Sequence, residues 1–363
     1  MTNSLLVNLS VVGTKPTGIA TYAQNLVAHW HIPETTFLTP QPTLAQHNPY
    51  LIPTHLSAEH GRAGHLRRLL WTQFQLPNIY RELRSRLIFS PVPEAPIASS
   101  CRYVVMMHDL IPLRFPNWKS PLTYYCRYYI PQVLAQAEHV ICNSESTAQD
   151  VKNHFGLSHS QITPILLAYD EQNFRSLNLD QPDDAAVTPY FLYIGRHDPY
   201  KNVQRLLTAF AHLPHQDCEL WLAGPADPRY TPTLAAQADE LGVNQRVKFL
   251  NYVAYDQLPV LLNRAIALVF PSLWEGFGFP ALEAMACGTP VITSNLSSLP
   301  EVVGDAAILI DPYNTTEITA AMRSLVEDSG VRAQLHAAGL ARASQFSWRK
   351  TGQQTAEVLR QFL

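Results

Sequence analysis

Short apolar runs rich in Val, Ile, Leu and Phe alternate with amphipathic helical segments along almost the whole 363-residue chain. Strands that read as continuous apolar stretches are buried on both faces, which happens in parallel sheets covered by helices. In the first half such strands are expected at 5–12, 87–89, 103–107 and 140–142. A loop at 13–18 leads into a helix with Ile19, Tyr22, Ala23, Leu26, Val27 and Trp30 on one face. Asn143-Ser144-Glu145-Ser146 reads as the cap of another helix, whose apolar face continues through Ala148 and Val151. The second half repeats the pattern, with strands expected at 190–194, 219–223, 247–250, 266–270, 290–294 and 307–310. Helices lie between them, one over 202–212 and one opened by the capping pattern Asn314-x-x-Glu317.

The polar, proline-bracketed stretch 176–189 separates the two series and is the expected linker. It delimits an N-terminal domain over 1–178 and a C-terminal domain over 187–347, each long enough for its own core. The expectation is an α/β protein of two Rossmann-like domains facing each other across a cleft. With 15% charged residues and 47% apolar ones, the chain is no disordered segment, coiled coil or basic nucleic-acid-binding domain. The net charge of −3 hides a division. Residues 1–178 carry 13 Lys/Arg against 10 Asp/Glu and 10 of the 14 His, whereas residues 179–363 carry 13 against 19. An acidic second half cannot hold an anion by its overall field, so any anion site there must be local.

Five widely spaced cysteines without a C-x-x-C pair argue against a disulfide framework or zinc ribbon and for a reducing compartment. The first residues lack a basic leader region, and no run approaches the roughly 18 apolar residues of a membrane span. A cytoplasmic protein is expected, bound to a membrane surface at most.

The richest segment follows the strand at 266–270. Pro271-Ser272-Leu273-Trp274 leads into Glu275-Gly276-Phe277-Gly278-Phe279, with Pro280 at the expected first position of a short helix and Gly288 just past its end. A glycine turn entering a helix exposes unpaired N–H groups at the positive end of the dipole, an anion site suited to phosphate or sugar hydroxyls. Glu275 in the turn and Glu283, placed on the first helical turn, would both face it. Singly, each carboxylate reads as a solvated or dipole-complementing residue. Together with the glycine turn they read as a site.

A second cluster, Gly195-Arg196-His197-Asp198-Pro199-Tyr200-Lys201-Asn202, again follows a strand. Arg196 offers a planar fork and Lys201 a mobile point charge, a pair suited to a diphosphate. His108, at the end of the strand 103–107, puts an imidazole at the mouth of the N-terminal sheet. The loop 13–18 has P-loop length, but Ile19-Ala20 stand where Lys-Ser/Thr must follow, which excludes a nucleoside triphosphatase. No G-x-G-x-x-G opens a helix, against a nicotinamide dehydrogenase. No Asp-x-Asp is present to hold a metal on a diphosphate, so no metal is expected and Arg196, Lys201 and backbone amides must meet the charge.

Glu275 to Glu283 reproduces the E-x7-E signature, within PSLWEGFGFPALEAMACGTPVI, and the chain resembles the family 4 retaining glycosyltransferases. The likeness extends through YIGRHDPYKN, ELWLAGP, VKFLNYV, LPEVVGDAAILIDP, the Gly18 loop, MMHDLIPLRFP and ICNSESTAQDV. The resemblance implies a GT-B fold whose last helix, over 348–363, returns to the N-terminal domain. It implies a nucleoside-diphosphate sugar, GDP- or UDP-linked, as co-substrate. By the same resemblance Gly195, Arg196 and Lys201 serve the diphosphate and Glu283 the ribose. Glu275, Gly276 and the amides of Phe277, Gly278 and Phe279 hold the transferred sugar, and His108 and Gly18 line the acceptor side. The reaction implied is metal-independent transfer of a hexose, mannose by weak preference, to a hydroxyl of a glycan or lipid-linked glycan with retention. Three departures stand out: Thr17-Gly18-Ile19-Ala20 has fewer glycines than usual, His197 replaces a small apolar residue, and Asn251 replaces a frequent glycine.

Two rival readings are a sugar-nucleotide epimerase of the same fold and a catalytically silent sugar-nucleotide-binding subunit. The basic stretch 62–71 allows contact with an anionic membrane, but a helix burying Leu66, Leu69 and Leu70 with its arginines solvated is the expectation. For Tyr124-Tyr125-Cys126-Arg127-Tyr128-Tyr129, stacking on a sugar acceptor competes with core or subunit packing, and packing is expected.

Overall fold

The computed structural model describes residues 5–13, 18–44, 48–178 and 188–363. Residues 14–17 of the glycine loop and 179–187 of the expected linker lie outside the described residues. Two compact units result, one of Met1–Leu167 with Ser347–Leu363 and one of Ala168–Phe346.

The first unit holds a seven-stranded sheet in the order β3-β2-β1-β4-β5-β6-β7. Its strands are β1 (Leu5–Asn8), β2 (Thr35–Thr39), β3 (Pro49–Leu51), β4 (Leu87–Ser90), β5 (Tyr103–Met107), β6 (His139–Cys142) and β7 (Ile162–Pro164). Every pairing is parallel, for example Leu6 with Ile88 and Val105 with Val140. The strand order reverses between β1 and β4, and ligands of open α/β sheets bind beyond the strand ends at such a reversal. Helix Gly18–Ala28 follows β1, and the His108 segment follows β5.

The second unit holds a six-stranded parallel sheet in the order β10-β9-β8-β11-β12-β13. These are β8 (Tyr190–Ile194), β9 (Glu219–Ala223), β10 (Val247–Asn251), β11 (Ala267–Phe270), β12 (Val291–Ser294) and β13 (Ile308–Ile310). Its reversal falls between β8 and β11, the two strands that precede the Arg196–Lys201 cluster and the glycine turn. Sheet order alone therefore brings the two motifs to one edge. A Cβ on Gly224 would lie 1.9 Å from the Gly195 carbonyl oxygen, so only glycine permits the loops after β8 and β9 to approach this closely.

Several expectations need correction. The first unit ends at Leu167 rather than at 178. Residues 168–178 pack with the second unit, where Asn173 Nδ2 donates to the Tyr255 carbonyl (3.1 Å) and the Leu177 N–H to Asn263 Oδ1 (2.9 Å). The first strand is Leu5–Asn8, shorter than 5–12, and β2, β3 and β7 were not expected. Helix Glu145–Phe155 is capped by Ser144 Oγ, which accepts from the Thr147 N–H (3.0 Å). At Asn314 the cap forms, but Glu317 turns to the Asp311 N–H (2.9 Å) rather than completing a capping box.

Helix Gly61–Phe74 is inverted relative to expectation. It buries Gly64, Arg68, Trp71 and Thr72 and turns Leu66 and Leu70 to solvent. The cause is Glu94, which takes Arg68 in a bidentate pair, Nε to Oε2 at 2.7 Å and Nη2 to Oε1 at 2.8 Å. Tyr125 Oη also reaches Glu94. Once its charge is matched, the arginine occupies the inner face, Leu66 and Leu70 turn outward, and Leu69 stays half-buried.

Candidate active site

The second unit holds the glycine turn and the helix it enters. Helix Phe279–Ala286 starts from Gly278, whose φ of 103° lies in the region that side chains resist. A Cβ there would meet Leu299 Cδ2 at 2.6 Å. Phe279, not Pro280, is the first helical residue, and Glu283 consequently falls in the second turn. Gly288 follows the Cys287 cap with φ 75°, as a helix-ending glycine does. Two serines missed by the sequence reading clamp the turn. Ser297 Oγ accepts from the Glu275 N–H (3.0 Å), and Ser298 Oγ reaches the carbonyls of Glu275 (3.0 Å) and Phe277 (2.9 Å). Ser298 thereby holds two carbonyls of the turn from one hydroxyl.

Lys201 Nζ donates to Glu275 Oε1 at 2.5 Å, with both side chains largely withdrawn from solvent. The ammonium also lies 5.4 Å from the centre of the Phe270 ring. Asn202 staples the loop after β8 to its neighbours, donating from Nδ2 to the carbonyls of Pro271 (3.1 Å) and Pro312 (2.7 Å). The Leu273 N–H adds a bond to the Tyr200 carbonyl (2.7 Å). Asn202 adopts φ 64°, a conformation asparagine tolerates, and stood inside the motif without an assigned role. Tyr193 Oη donates to the Arg196 carbonyl (2.6 Å), fixing the backbone while the Arg196 side chain stays 61% exposed beside Asp198 (2.9 Å).

Glu283 lies near Asp170, Tyr255 and Cys287. Burial, reinforced by the Asp170 charge, pushes its carboxyl up to about 8, so it is mainly protonated at neutral pH. Asp170 was not singled out because it lies more than a hundred residues away in sequence. His197 is buried, bonds Thr231 Oγ1 through Nδ1 (2.7 Å), and has its pKa lowered by burial. Asn251 adopts φ 56° and its carbonyl accepts the Gly224 N–H (2.8 Å); the backbone there favours glycine, and asparagine is the next best tolerated.

In the first unit, His108 Nε2 bonds the Pro91 carbonyl (2.8 Å), which leaves Nδ1 as the acceptor. The Tyr22 ring packs edge-on at 5.1 Å. Helix Gly18–Ala28 carries Tyr22, so Gly18 and His108 belong to neighbouring elements at one sheet edge. Burial lowers the imidazole to about 4, so it is neutral at pH 7. Among the described residues no group of three His, Cys, Asp or Glu could hold a metal ion.

Two family models match the chain, Glycosyltransferase Family 4 over residues 16–172 and Glycosyl transferases group 1 over residues 179–342. The chain belongs to the family 4 glycosyltransferases and is a hexosyltransferase of GT-B fold. It is 33% identical over 264 residues to the O-antigen chain mannosyltransferase B of Escherichia coli, covering 70% of this chain and 69% of that one. It is also 33% identical over 250 residues to the MMP alpha-(1->4)-mannosyltransferase of Mycolicibacterium hassiacum, covering 66% and 59%. The match to a serotype-specific mannosyltransferase of Escherichia coli, WbdA, spans only 32% of that longer protein. Among solved structures, Anabaena HepE in complex with UDP and glucose superposes with a TM-score of 0.76 at 21% identity, over 98% of this chain and 99% of that one. At that identity the likeness establishes the fold.

Proposed function

We propose that the chain transfers a mannose-type hexose from a GDP- or UDP-linked donor to a hydroxyl of a glycan or lipid-linked glycan, with retention and without a metal. The observation that carries this is the Lys201–Glu275 pair beside the serine-clamped glycine turn, at the strand reversal of the second sheet. The names of the mannosyltransferase relatives support the choice of sugar.

The barrier lies in breaking the bond between the anomeric carbon and the diphosphate oxygen. Its electron pair goes to the phosphate, and positive charge develops on the sugar. Lys201 and Arg196, with Gly195 allowing close approach of the loop, meet the growing negative charge. One such preorganised donor is worth about 3–4 kcal/mol. Glu275, Gly276 and the amides of Phe277, Gly278 and Phe279 hold the sugar hydroxyls, and Glu283 holds the ribose. The acceptor oxygen attacks on the face the phosphate leaves, and its proton passes to the departing phosphate oxygen. Gly18 and His108 serve the acceptor.

No helix among the described residues is long and apolar enough to cross a membrane. A lipid-linked acceptor would be met by an enzyme resting peripherally on the inner membrane face. The test is incubation of the purified chain with GDP-mannose, UDP-glucose and a lipid-linked oligosaccharide, with and without EDTA. Donor-dependent extension of the acceptor, unaffected by EDTA and of retained anomeric configuration, is expected. Isomerised donor appearing without acceptor would replace this reading with the epimerase.

A further inference from the structure

Helix Gly61–Phe74 presents a ladder of large apolar side chains to water: Leu66 is 57%, Leu70 50% and Phe74 67% exposed. The four-residue spacing puts them on one stripe, and Arg62 and Arg67 flank it. Beside it, Trp118, Tyr124 and Tyr128 form a second exposed cluster. Trp118 meets Tyr124 edge-on at 6.1 Å, Tyr124 stacks on Tyr128 at 6.3 Å, and Arg127 lies 5.4 Å from the Trp118 ring centre. The two elements are fastened together from beneath, by the His65 ring against Tyr125 (5.2 Å) and by Gln73 Nε2 donating to Tyr129 Oη (3.0 Å). Their outer faces thus belong to one surface of the first unit.

The charge of this surface has one sign. Residues 61–74 and 111–137 contain six Lys/Arg and no Asp/Glu. Glu94 neutralises Arg68 and Asp150 neutralises Arg114, leaving Arg62, Arg67, Lys119 and Arg127 to the surface. The unit as a whole carries 15 Lys/Arg against 9 Asp/Glu, and the second unit 11 against 20.

We infer that this face docks on an anionic lipid bilayer, with Leu66, Leu70 and Phe74 entering the interface, Trp118, Tyr124 and Tyr128 at headgroup depth, and the four cations on the headgroups. Trp and Tyr favour that depth because each ring has an apolar body and a polar handle. Apolar side chains interleaved with cations bind such surfaces by burial and charge attraction together. A second copy of the chain is a poor occupant, because a two-fold contact would set these four cations against their own equivalents. The assignment of a lipid-linked acceptor to this face rests on the proposed function; the docking itself does not.

The test is co-sedimentation of the full chain with vesicles of phosphatidylcholine alone and of equal parts phosphatidylcholine and phosphatidylglycerol. Binding to the second, weakened by salt, and little to the first is expected. The combined variant Leu66→Ser, Leu70→Ser, Phe74→Ser should lose at least about tenfold in partitioning while its thermal midpoint and transfer to a soluble acceptor stay unchanged. Arg62→Glu with Arg67→Glu should remove the salt-sensitive part. Absence of binding to anionic vesicles, or a variant that pellets like the parent, overturns the proposal. So does a parent that sediments as a dimer and a triple variant that sediments as a monomer, since the face is then a self-contact. A chain that pellets with anionic vesicles yet transfers no sugar sinks the proposed function and leaves the docking standing.

Discussion

Lys201 and Glu275, 74 residues apart, form one ion pair at the edge of the second sheet. The sequence reading gave them separate tasks, the lysine on phosphate and the carboxylate on sugar. Their contact means that neither charge stands alone before a ligand arrives. Removing one partner strands the other in a poorly hydrated place, which costs on the order of 3–5 kcal/mol for a buried pair. Lys201→Met and Glu275→Gln should each lower stability by that order, and the double variant by less than either. Urea unfolding of the three proteins gives the comparison; additive losses would show that the pair is not coupled. Turnover should fall about a hundredfold or more in Lys201→Met.

Arg196 offers the opposite case. Its side chain is mostly in water beside Asp198, and surface pairs of this kind contribute little, about 0–1 kcal/mol. Arg196→Ala should therefore leave the thermal midpoint near the parent's while cutting turnover by about a hundredfold, as loss of one transition-state donor does. Parent-like initial rates would remove Arg196 from the diphosphate.

Glu283 binds a proton more tightly in the fold than in the unfolded chain, with a pKa raised from 4.5 to about 8 by burial and Asp170. Its favourable contribution is complete below 4.5 and is lost as pH rises through about 8. Glu283→Gln, always neutral, should match the parent's midpoint in acid and exceed it by several degrees at alkaline pH. The same variant should bind nucleotide more weakly. Identical midpoint profiles from acid to alkaline pH would contradict the assignment.

His108 has the reverse linkage. Its folded pKa of about 4 lies below the ordinary 6.5, so the unfolded chain binds the extra proton in that interval. Stability is intact above 6.5 and declines as pH falls toward 4. Half-buried His65 and buried His139 and His197 shift the same way and steepen the decline. His108→Gln should flatten part of this slope in midpoint measurements between neutral and acid pH. A slope equal to the parent's would mean that His108 is not buried neutral.

Both sheets were legible wherever a strand is a continuous apolar run, because central parallel strands must be apolar on both faces. Thr35-Thr-Phe-Leu-Thr39, Pro49–Leu51 and Ile162–Pro164 escaped for the complementary reason. They lie toward the edges of the sheet, where short and polar strands suffice. In the site, the glycine turn and the cations were readable because their chemistry is local. Ser298, Asp170 and Glu94 were not, since each acts on a residue far along the chain. The orientation of helix Gly61–Phe74 depends on such a partner: without Glu94 in view, Arg68 belongs outside and the leucines inside.

The last helix, Trp348–Arg360, belongs to the first unit, where Thr351 Oγ1 donates to the Leu166 carbonyl (2.8 Å) and Arg360 Nη2 to the His31 carbonyl (2.8 Å). The second unit is therefore uninterrupted in sequence, whereas the first is assembled from two distant pieces. On a ribosome the second unit has all its residues before the first is complete, although its residues are made later. The earlier-made sheet must wait, lacking the helix whose Gly352 packs against His29 and whose Trp348 meets Tyr22, until Ala168–Phe346 has emerged. Domains fold as units during synthesis, and here the order of completion inverts the order of translation.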